Sequence, residues 1–320
     1  MSHRKRAWRA AGLAITAVLL AAGLIWGLSR PGEGSQGVLY RVTRGDKVMY
    51  LLGSIHIGND AMYPFGEEIL AAMDKAQRFV YECDTDSQTA VADMRRRMAA
   101  TAGETLRESV GAVLDDELTQ VCDQLGLDRA ALDGLKPWAV INTLAVYTTA
   151  AEIGSDNVGR ALSLGVEKKV RAYADSHGKT AAYLETLDEQ IGVLESFSPE
   201  LTRYLLQGEC DAILRPESAR SVDKTIAQWP DWWRAGDAEA FAAHYLGAYL
   251  EPGHETEGAE YHQKLITRRN QAMTERLMTL LAEEPTCFVT VGLLHLVLPQ
   301  DGIARLLRER GCEVTQICNP

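Results

Sequence analysis

Residues 48–56 read Val48-Met49-Tyr50-Leu51-Leu52-Gly53-Ser54-Ile55-His56, an apolar run that ends in the motif Gly-x-x-His. Near the other end of the chain, residues 288–295 repeat this form as Phe288-Val289-Thr290-Val291-Gly292-Leu293-Leu294-His295. Short apolar runs are typical of buried strands, and a glycine lets the backbone leave a strand sharply or approach a neighbour closely. One such motif carries little information. Two of them predict a pair of strands whose carboxyl ends each present a histidine.

The flanking sequence predicts further strands and a long helical region. Two β-rich segments, 38–42 and 48–52, are separated by a turn-forming sequence, which indicates a hairpin. Other strand-like segments lie at 78–84, 180–184 and 312–318, whereas helical patterns dominate from about 87 to 283. We therefore predict an α/β (α+β) fold, in which N- and C-terminal strands form a central mixed β-sheet and a large helical insertion forms a cap. Within the cap we expect a continuous helix over 187–207 and a turn at 229–233.

The N-terminal residues predict a membrane segment. A basic cluster precedes residues 10–29, which carry no ionisable side chain. A helix of that length spans about 30 Å, the thickness of the bilayer hydrocarbon core, and the positive charges before it predict a cytoplasmic N-terminus. We expect a single-pass anchor in the cell membrane with a periplasmic or extracellular body, and a cleaved signal peptide is the alternative. The predicted organisation is a cytoplasmic basic segment (1–9), the anchor or signal peptide (10–29), a flexible linker (30–37) and a folded domain (38–320).

The folded part of the chain is acidic. Five of the 33 basic residues and none of the 44 acidic residues lie within residues 1–30, which leaves 28 basic and 44 acidic side chains, a balance near −16. We expect no nucleic-acid binding, because such binding needs Lys and Arg to neutralise phosphates. The sequence does not determine an oligomeric state. Cys122 and Cys210 lie in helical stretches where a disulfide could join them, whereas Cys83 and Cys287 are expected to be buried free thiols.

Three residues are candidates for a metal site. Strand alternation places Glu82 near the end of an apolar strand, where a carboxylate is costly unless it is paired or bound to a cation. Two histidines and a carboxylate commonly bind a divalent ion that activates water, so we consider His56, Glu82 and His295 as ligands. In the structural alternative, Glu82 pairs with a helix and both histidines are hydrogen-bonded core residues. Three more histidines surround the acidic segment 251–260: His244, His254 and His262. This region could bind a metal, but it has no HExxH spacing, and we expect a solvated loop there.

The order and spacing of several motifs resemble the TraB/GumN family, which includes the Tiki metalloproteases that act on Wnt proteins. The resemblance covers residues 37–320 and depends on the following segments: Tyr50-Leu51-Leu52-Gly53-Ser54-Ile55-His56, Tyr63-Pro64, Tyr81-Glu82, Gly165-Val166-Glu167, Leu184-Glu185-Thr186 with Gln190, Arg269-Asn270 with Met273, Val291-Gly292-Leu293-Leu294-His295-Leu296 and Asp301-Gly302. Leu298 departs from the pattern, because the family usually has glycine there. The path of the loop after His295 is therefore the least certain part of the resemblance.

This resemblance implies a divalent-metal-dependent peptidase that acts on peptide or protein substrates outside the cytoplasm. Manganese or cobalt are the ions that it favours, with zinc as an alternative. His56 and His295 become metal or catalytic histidines, and Glu82 becomes a ligand or general base.

The resemblance also suggests roles for four residues beyond the three candidate ligands. Arg269 and Asn270 become candidates for substrate or transition-state contacts, since a guanidinium suits a developing oxyanion. A helix-surface pair that holds the cap is the alternative for these two. Glu167 and Glu185 are candidates for substrate binding, with buried hydrogen bonds to helix ends as the alternative.

The resemblance extends to the fold of erythromycin esterase and of a haem-binding lipoprotein family. A second function therefore stays open at this point. The same histidines could bind haem or a peptide ligand without catalysis.

Overall fold

A mixed sheet joins the two ends of the folded domain. The computed structural model describes residues 34–217, 226–249, 252–283 and 285–317. Within them, six strands have the spatial order β4-β3-β5-β2-β1-β6. Their bounds are β1 Leu39–Arg44, β2 Lys47–Ser54, β3 Arg78–Tyr81, β4 Thr180–Tyr183, β5 Cys287–Gly292 and β6 Glu313–Ile317.

Strand pairing confirms the predicted hairpin and the mixed sheet. β1 and β2 are antiparallel and turn at Gly45, whose φ of 62° favours glycine. β2, β5, β3 and β4 run parallel to one another in that spatial order, and β6 is antiparallel to β1. The apolar composition of β2 and β5 fits strands covered on both faces, and nearly all of their residues are buried.

Helices make up most of the described chain between β3 and β5. The helices before β4 are Gln88–Met98, Leu106–Val110, Ala112–Leu125, Arg129–Asp133, Pro137–Glu152, Val158–Ser163 and Val166–Ser176. Those after β4 are Leu187–Glu195, Pro199–Leu214, Trp229–Ala235, Ala238–Tyr249, Glu255–Tyr261 and Arg268–Glu283, with a π-helical turn at His262–Thr267. Helix Glu67–Lys75 lies between β2 and β3, and helices Leu293–Val297 and Ile303–Glu309 lie between β5 and β6.

Several predicted boundaries are wrong for local reasons. The expected helix over 187–207 is two helices, because Ser198 caps a new helix through the Leu201 amide and Pro199 occupies its first turn. The expected turn at 229–233 is helical, again with a proline in the first turn. Its Trp233 is fully buried and donates from Nε1 to the Gly53 carbonyl at 2.8 Å, which fixes this helix against β2.

The acidic region near 251–260 is also more ordered than predicted. His254 precedes helix Glu255–Tyr261, and His262 begins the π-helical turn and is partly buried. A solvated loop is therefore the wrong description for the described part of this region.

Two apolar clusters support the fold. The larger one surrounds the sheet and includes Trp233, whereas a second one lies among the cap helices. Cys122 and Cys210 both belong to the second cluster, where they are buried free thiols. The disulfide considered between them is therefore absent, and Cys83 and Cys287 are buried thiols outside any disulfide, as predicted.

The predicted basic segment and anchor lie outside the described residues. Among the residues that the structure does describe, none of the helices has the length and hydropathy needed to cross a bilayer. The end of the predicted linker is hydrogen-bonded to the folded domain. Ser35 is buried and exchanges backbone hydrogen bonds with the segment around Phe65: its amide donates to Pro64 and its carbonyl accepts from Gly66.

Candidate active site at the carboxyl edge of the sheet

The parallel strands bring the candidate residues to one edge of the sheet. The last residues of β2 and β5 are in register, Ser54 with Gly292, and the last residues of β3 and β4 are in register as well. His56 follows β2 and Glu82 follows β3 directly. His295 lies on the short helix Leu293–Val297 after β5, rather than on the strand end itself. Because all these strands end at the same edge, their following residues meet there.

Arg269 forms the centre of this edge. Its side chain is 9% exposed, and its helix, Arg268–Glu283, lies in the last part of the cap. Glu185 accepts three hydrogen bonds from it, two from Nε at 3.1 Å and one from Nη2 at 2.6 Å. Nη2 also donates to Glu82 Oε2 at 2.8 Å, and Nη1 lies 3.1 Å from His295 Nε2. Arg269 is therefore a buried link between three candidate residues, not a helix-surface group.

Glu82 is a carboxylate with all of its oxygens engaged. Oε1 accepts from the Gly292 amide, and Oε2 accepts from Arg269 and from Gln190 Nε2. Burial raises its pKa, but His295 (which is charged only in acid), Arg269, His56 and the Gly292 hydrogen bond together lower the pKa to about 2. Glu82 is therefore ionised at any pH at which the protein would be studied.

The hydrogen bonds of His295 determine which of its two ring nitrogens carries the proton and which presents a lone pair to Arg269. Asn270 is fully buried and its Nδ2 donates to two carbonyls, those of His295 and Asp301, so its Oδ1 must accept. The partner of Oδ1 is His295 Nδ1 at 2.6 Å, which must therefore carry the proton. Burial lowers the pKa of His295 to about 4, so the ring is neutral and Nε2 keeps its lone pair. Asn270 thus orients His295 and, being enclosed, does not contact solvent in this structure.

Gly292, the glycine of the second motif, is needed for a close approach. A Cβ atom at Gly292 would lie 3.0 Å from Glu82 Oε1 and 3.3 Å from His295 Cδ2. Even a methyl group there would require Glu82 or His295 to shift by a few tenths of an ångström, so a close approach is the reason for glycine at this position.

His56 is placed differently from the other candidates. It is exposed and forms no hydrogen bond within the described part of the chain, although its charge lowers the pKa values of Glu82 and His295. In the described ranges, no three His, Cys, Asp or Glu side chains are grouped so that they could hold a metal ion. The structure therefore brings Glu82 and His295 together around Arg269 and leaves His56 at the exposed margin.

Glu167 lies beside this cluster rather than in it. It occupies the first turn of helix Val166–Ser176 and pairs with Arg171 at 3.2 Å. This helix begins against the first motif, where a Cβ atom at Gly165 would lie 2.3 Å from the His56 carbonyl oxygen. Glu167 is therefore near the site without a contact to Arg269.

Two parts of the site had no role assigned from the sequence. Gln190 joins Glu82 to the Cys83 thiol, which donates to Gln190 Oε1 at 3.0 Å. Asp301 is held by Thr267 at 2.5 Å and by His262 Nε2 at 2.9 Å, and its carbonyl accepts from Asn270. The π-helical turn places Thr267 and His262 on Asp301, and no strand or helix periodicity in the sequence predicts such a turn.

The sequence profile of the TraB/PrgY/gumN family matches residues 38–316. The chain belongs to the TraB/PrgY/gumN family. The match includes both Gly-x-x-His motifs and every residue of the buried cluster around Arg269, and it confirms the resemblance stated from the motifs. Searches against curated proteins and against solved structures gave no match.

The low pKa of His295 predicts how the stability of this TraB/PrgY/gumN protein changes with pH. The unfolded chain takes up a proton near pH 6.5, but the folded chain does so only near pH 4, so acidification between these values favours unfolding. Glu82 contributes to this change only below its unfolded pKa of 4.5. Between pH 6.5 and 4.5, His295 should therefore make the free energy of unfolding fall by about 1.4 kcal/mol per pH unit.

Urea unfolding of chelator-treated protein at several pH values measures this slope. The His295→Gln variant should show a slope smaller by about that amount. Equal slopes in the two proteins would show that the ring titrates normally in the folded state.

Proposed function

We propose that the protein is a divalent-metal-dependent hydrolase, and specifically a peptidase, whose ion is held by His56, Glu82 and His295. The observation that carries the proposal is the neutral His295, whose Nε2 lone pair faces the cluster beside an ionised Glu82. Asn270 accepts from the other ring nitrogen, as the outer partners of metal-ligating histidines usually do. An ion held there would polarise a carbonyl group and lower the pKa of its bound water.

Two imidazoles and a carboxylate are donor types that suit a divalent ion. In this structure His56 is not grouped with Glu82 and His295, and Arg269 competes with an ion for their lone pairs. Arg269 Nη1 and Nη2 occupy the lone pairs of His295 and Glu82 that would face the ion. Glu185 alone accepts three hydrogen bonds from Arg269, so the guanidinium keeps a partner when those two contacts are given up. Metal binding in this proposal therefore leaves Arg269 held by Glu185.

The low pKa of Glu82 favours the role of a metal ligand over that of a general base. A general base works best when its pKa lies near the working pH, and a carboxylate with a pKa of about 2 accepts protons poorly. We therefore assign Glu82 the role of a ligand with a fixed negative charge. Arg269, held in place by Glu185, is the group assigned to stabilise negative charge on the carbonyl oxygen of the substrate. Asn270 becomes a positioning residue for His295.

Peptide or protein substrates and an extracytoplasmic location are part of the same proposal. The location is supported by residues 10–29, which have the length and composition of an anchor. The acidic balance of the body favours cationic substrates over nucleic acids. Binding of haem without catalysis gains no support from the site, because the His295 Nε2 atom faces a guanidinium rather than an apolar slot.

A peptide hydrolysis assay with the chelator-treated chain, before and after addition of Mn²⁺, Co²⁺ or Zn²⁺, tests the proposal. We expect turnover only after a divalent ion is added. Hydrolysis that persists in chelator would exclude the metal-dependent mechanism, and an absence of turnover with all three ions would exclude the peptidase assignment.

A further inference from the structure

β4 forms one edge of the sheet and is open on its outer side. Among the described strands it pairs with β3 alone, and three of its four residues are exposed. The amide of Leu184, the next residue, donates to the Tyr81 carbonyl, so alternation directs the backbone groups of Ala181 and Tyr183 outward. Within the described ranges, no hydrogen bond reaches these outward backbone groups. β4 therefore offers a short row of donors and acceptors to another strand.

The sequence of β4 does not protect this edge. Proteins protect edge strands by shortness, charged side chains, proline or bulges, and of these devices Thr180–Tyr183 has only its shortness. Ala181 and Ala182 are small, so a second backbone can approach closely. The strand is only four residues long, which limits pairing to a few hydrogen bonds.

The carboxyl end of β4 leads directly into the candidate active site. Two residues after the strand, Glu185 donates its amide to the Glu82 carbonyl and holds Arg269 with its carboxylate. A groove of about 420 Å³ lies at this point, lined among others by Tyr183, Glu185 and Arg276. A strand added to β4 would therefore end at this groove, about 10 Å (two strand spacings) from the end of β3.

The charge around the groove indicates which peptides fit. Among the residues that line it, three are carboxylates and one is a guanidinium, an excess of two negative charges: Asp84, Glu185 and Glu189 against Arg276. Beside the groove, Glu82 pairs with Arg269. Arg171, which contacts Tyr183, pairs with Asp86 and Glu167. The body of the chain is acidic as well. Cationic side chains are therefore favoured in a peptide that ends at this groove.

We propose that the open edge of β4 binds an extended, cationic segment of the peptide substrate as an added β-strand and directs it across the carboxyl edge of the sheet. This inference rests on the proposed peptidase function and specifies its substrate class. In this mode of recognition, backbone hydrogen bonds supply affinity and neighbouring pockets supply specificity.

The test compares two substitutions at one position. Ala181→Pro removes the outward amide without removing a hydrogen bond to β3, whereas Ala181→Val keeps that amide at a similar side-chain size. The probe is a fluorescent peptide of about ten residues with alternating Val and Lys, which favours an extended conformation. Its binding to the full-length, chelator-treated chain in detergent is measured by anisotropy. We expect Ala181→Pro to weaken binding at least about tenfold and Ala181→Val to change it less than about twofold.

Hydrogen exchange of the wild-type chain provides a second measurement, which stays informative if Ala181→Pro does not fold. The Ala181 and Tyr183 amides should become protected when the peptide is added. Unchanged exchange at both amides, or equal peptide binding by both variants, would overturn the proposal. A wild-type dimer that Ala181→Pro converts to a monomer would overturn it too, because a second copy of the chain would then occupy the edge.

These measurements do not depend on turnover. Specific peptide binding, with no hydrolysis after Mn²⁺, Co²⁺ or Zn²⁺ is added, would contradict the proposed function and leave the inference about β4 intact. Metal-dependent hydrolysis with no effect of Ala181→Pro on peptide binding would support the proposed function and contradict the inference about β4.

Discussion

The His295→Gln variant should lose peptide turnover by about 10³-fold while keeping its fold. Glutamine can still occupy the site between Asn270 and Arg269, but it places no imidazole lone pair beside Glu82. Glu82→Gln should have a comparable effect, since it removes the one carboxylate that the proposal uses as a ligand. Measurement of kcat/KM with the divalent ion that gives the highest wild-type activity tests both expectations.

The matched control for this experiment is His177→Gln. His177 is exposed, stacks on Tyr173 and precedes β4, at the opposite end of the parallel strands from the site. It should keep wild-type turnover. If His295→Gln and Glu82→Gln both stay within a few-fold of wild type while folded, the cluster around Arg269 is not the catalytic site.

Arg269→Ala should destabilise the folded protein by about 3–5 kcal/mol. The substitution leaves the carboxylates of Glu82 and Glu185 buried without their cation; in the wild type these side chains are only 7% and 5% exposed. A buried ion pair as a whole adds little net stability, because desolvation of both charges offsets their attraction. Removal of one partner is costly, because it leaves the other charge buried and unpaired. Urea unfolding at neutral pH in the presence of a chelator measures the loss.

Arg276→Ala is the control on the same helix. Arg276 pairs with Glu189 at 2.5 Å, but these side chains are 39% and 46% exposed, so the pair is screened by solvent. Arg276 Nη1 also donates to the Leu184 carbonyl. We expect a loss of about 1–2 kcal/mol for this variant, because it removes this hydrogen bond and a screened ion pair. A similar small loss for Arg269→Ala would mean that Glu82 and Glu185 find other partners or take up protons in its absence.

The sheet was predictable because its strands have strong local signals. Apolar runs that end in glycine define β2 and β5, and a polar turn between two β-rich segments defines the hairpin. The order of the strands was not predictable, since β5 lies between β2 and β3 through contacts between distant parts of the chain. Glu82 was expected within a strand but follows it, because β3 ends at Tyr81.

The sequence predicted which residues belong to the site but not which of them contact one another. The two motifs and the glutamate point to one edge of the sheet, and the structure places Glu82 and His295 there in contact with Arg269. The contacts of Arg269 with Glu185 and Glu82 join residues 84 and 187 positions apart, for which no local pattern exists. The buried position of Asn270 likewise depends on tertiary packing.

A calorimetric titration of the full-length, chelator-treated protein with Mn²⁺, compared with His56→Ala and His295→Gln, tests whether these two histidines hold the ion. We expect one saturable site per chain in the wild type and in His177→Gln, and an affinity at least about 100-fold lower in the other two variants. Saturable binding that both His56→Ala and His295→Gln retain, or no binding by the wild type, would contradict this expectation.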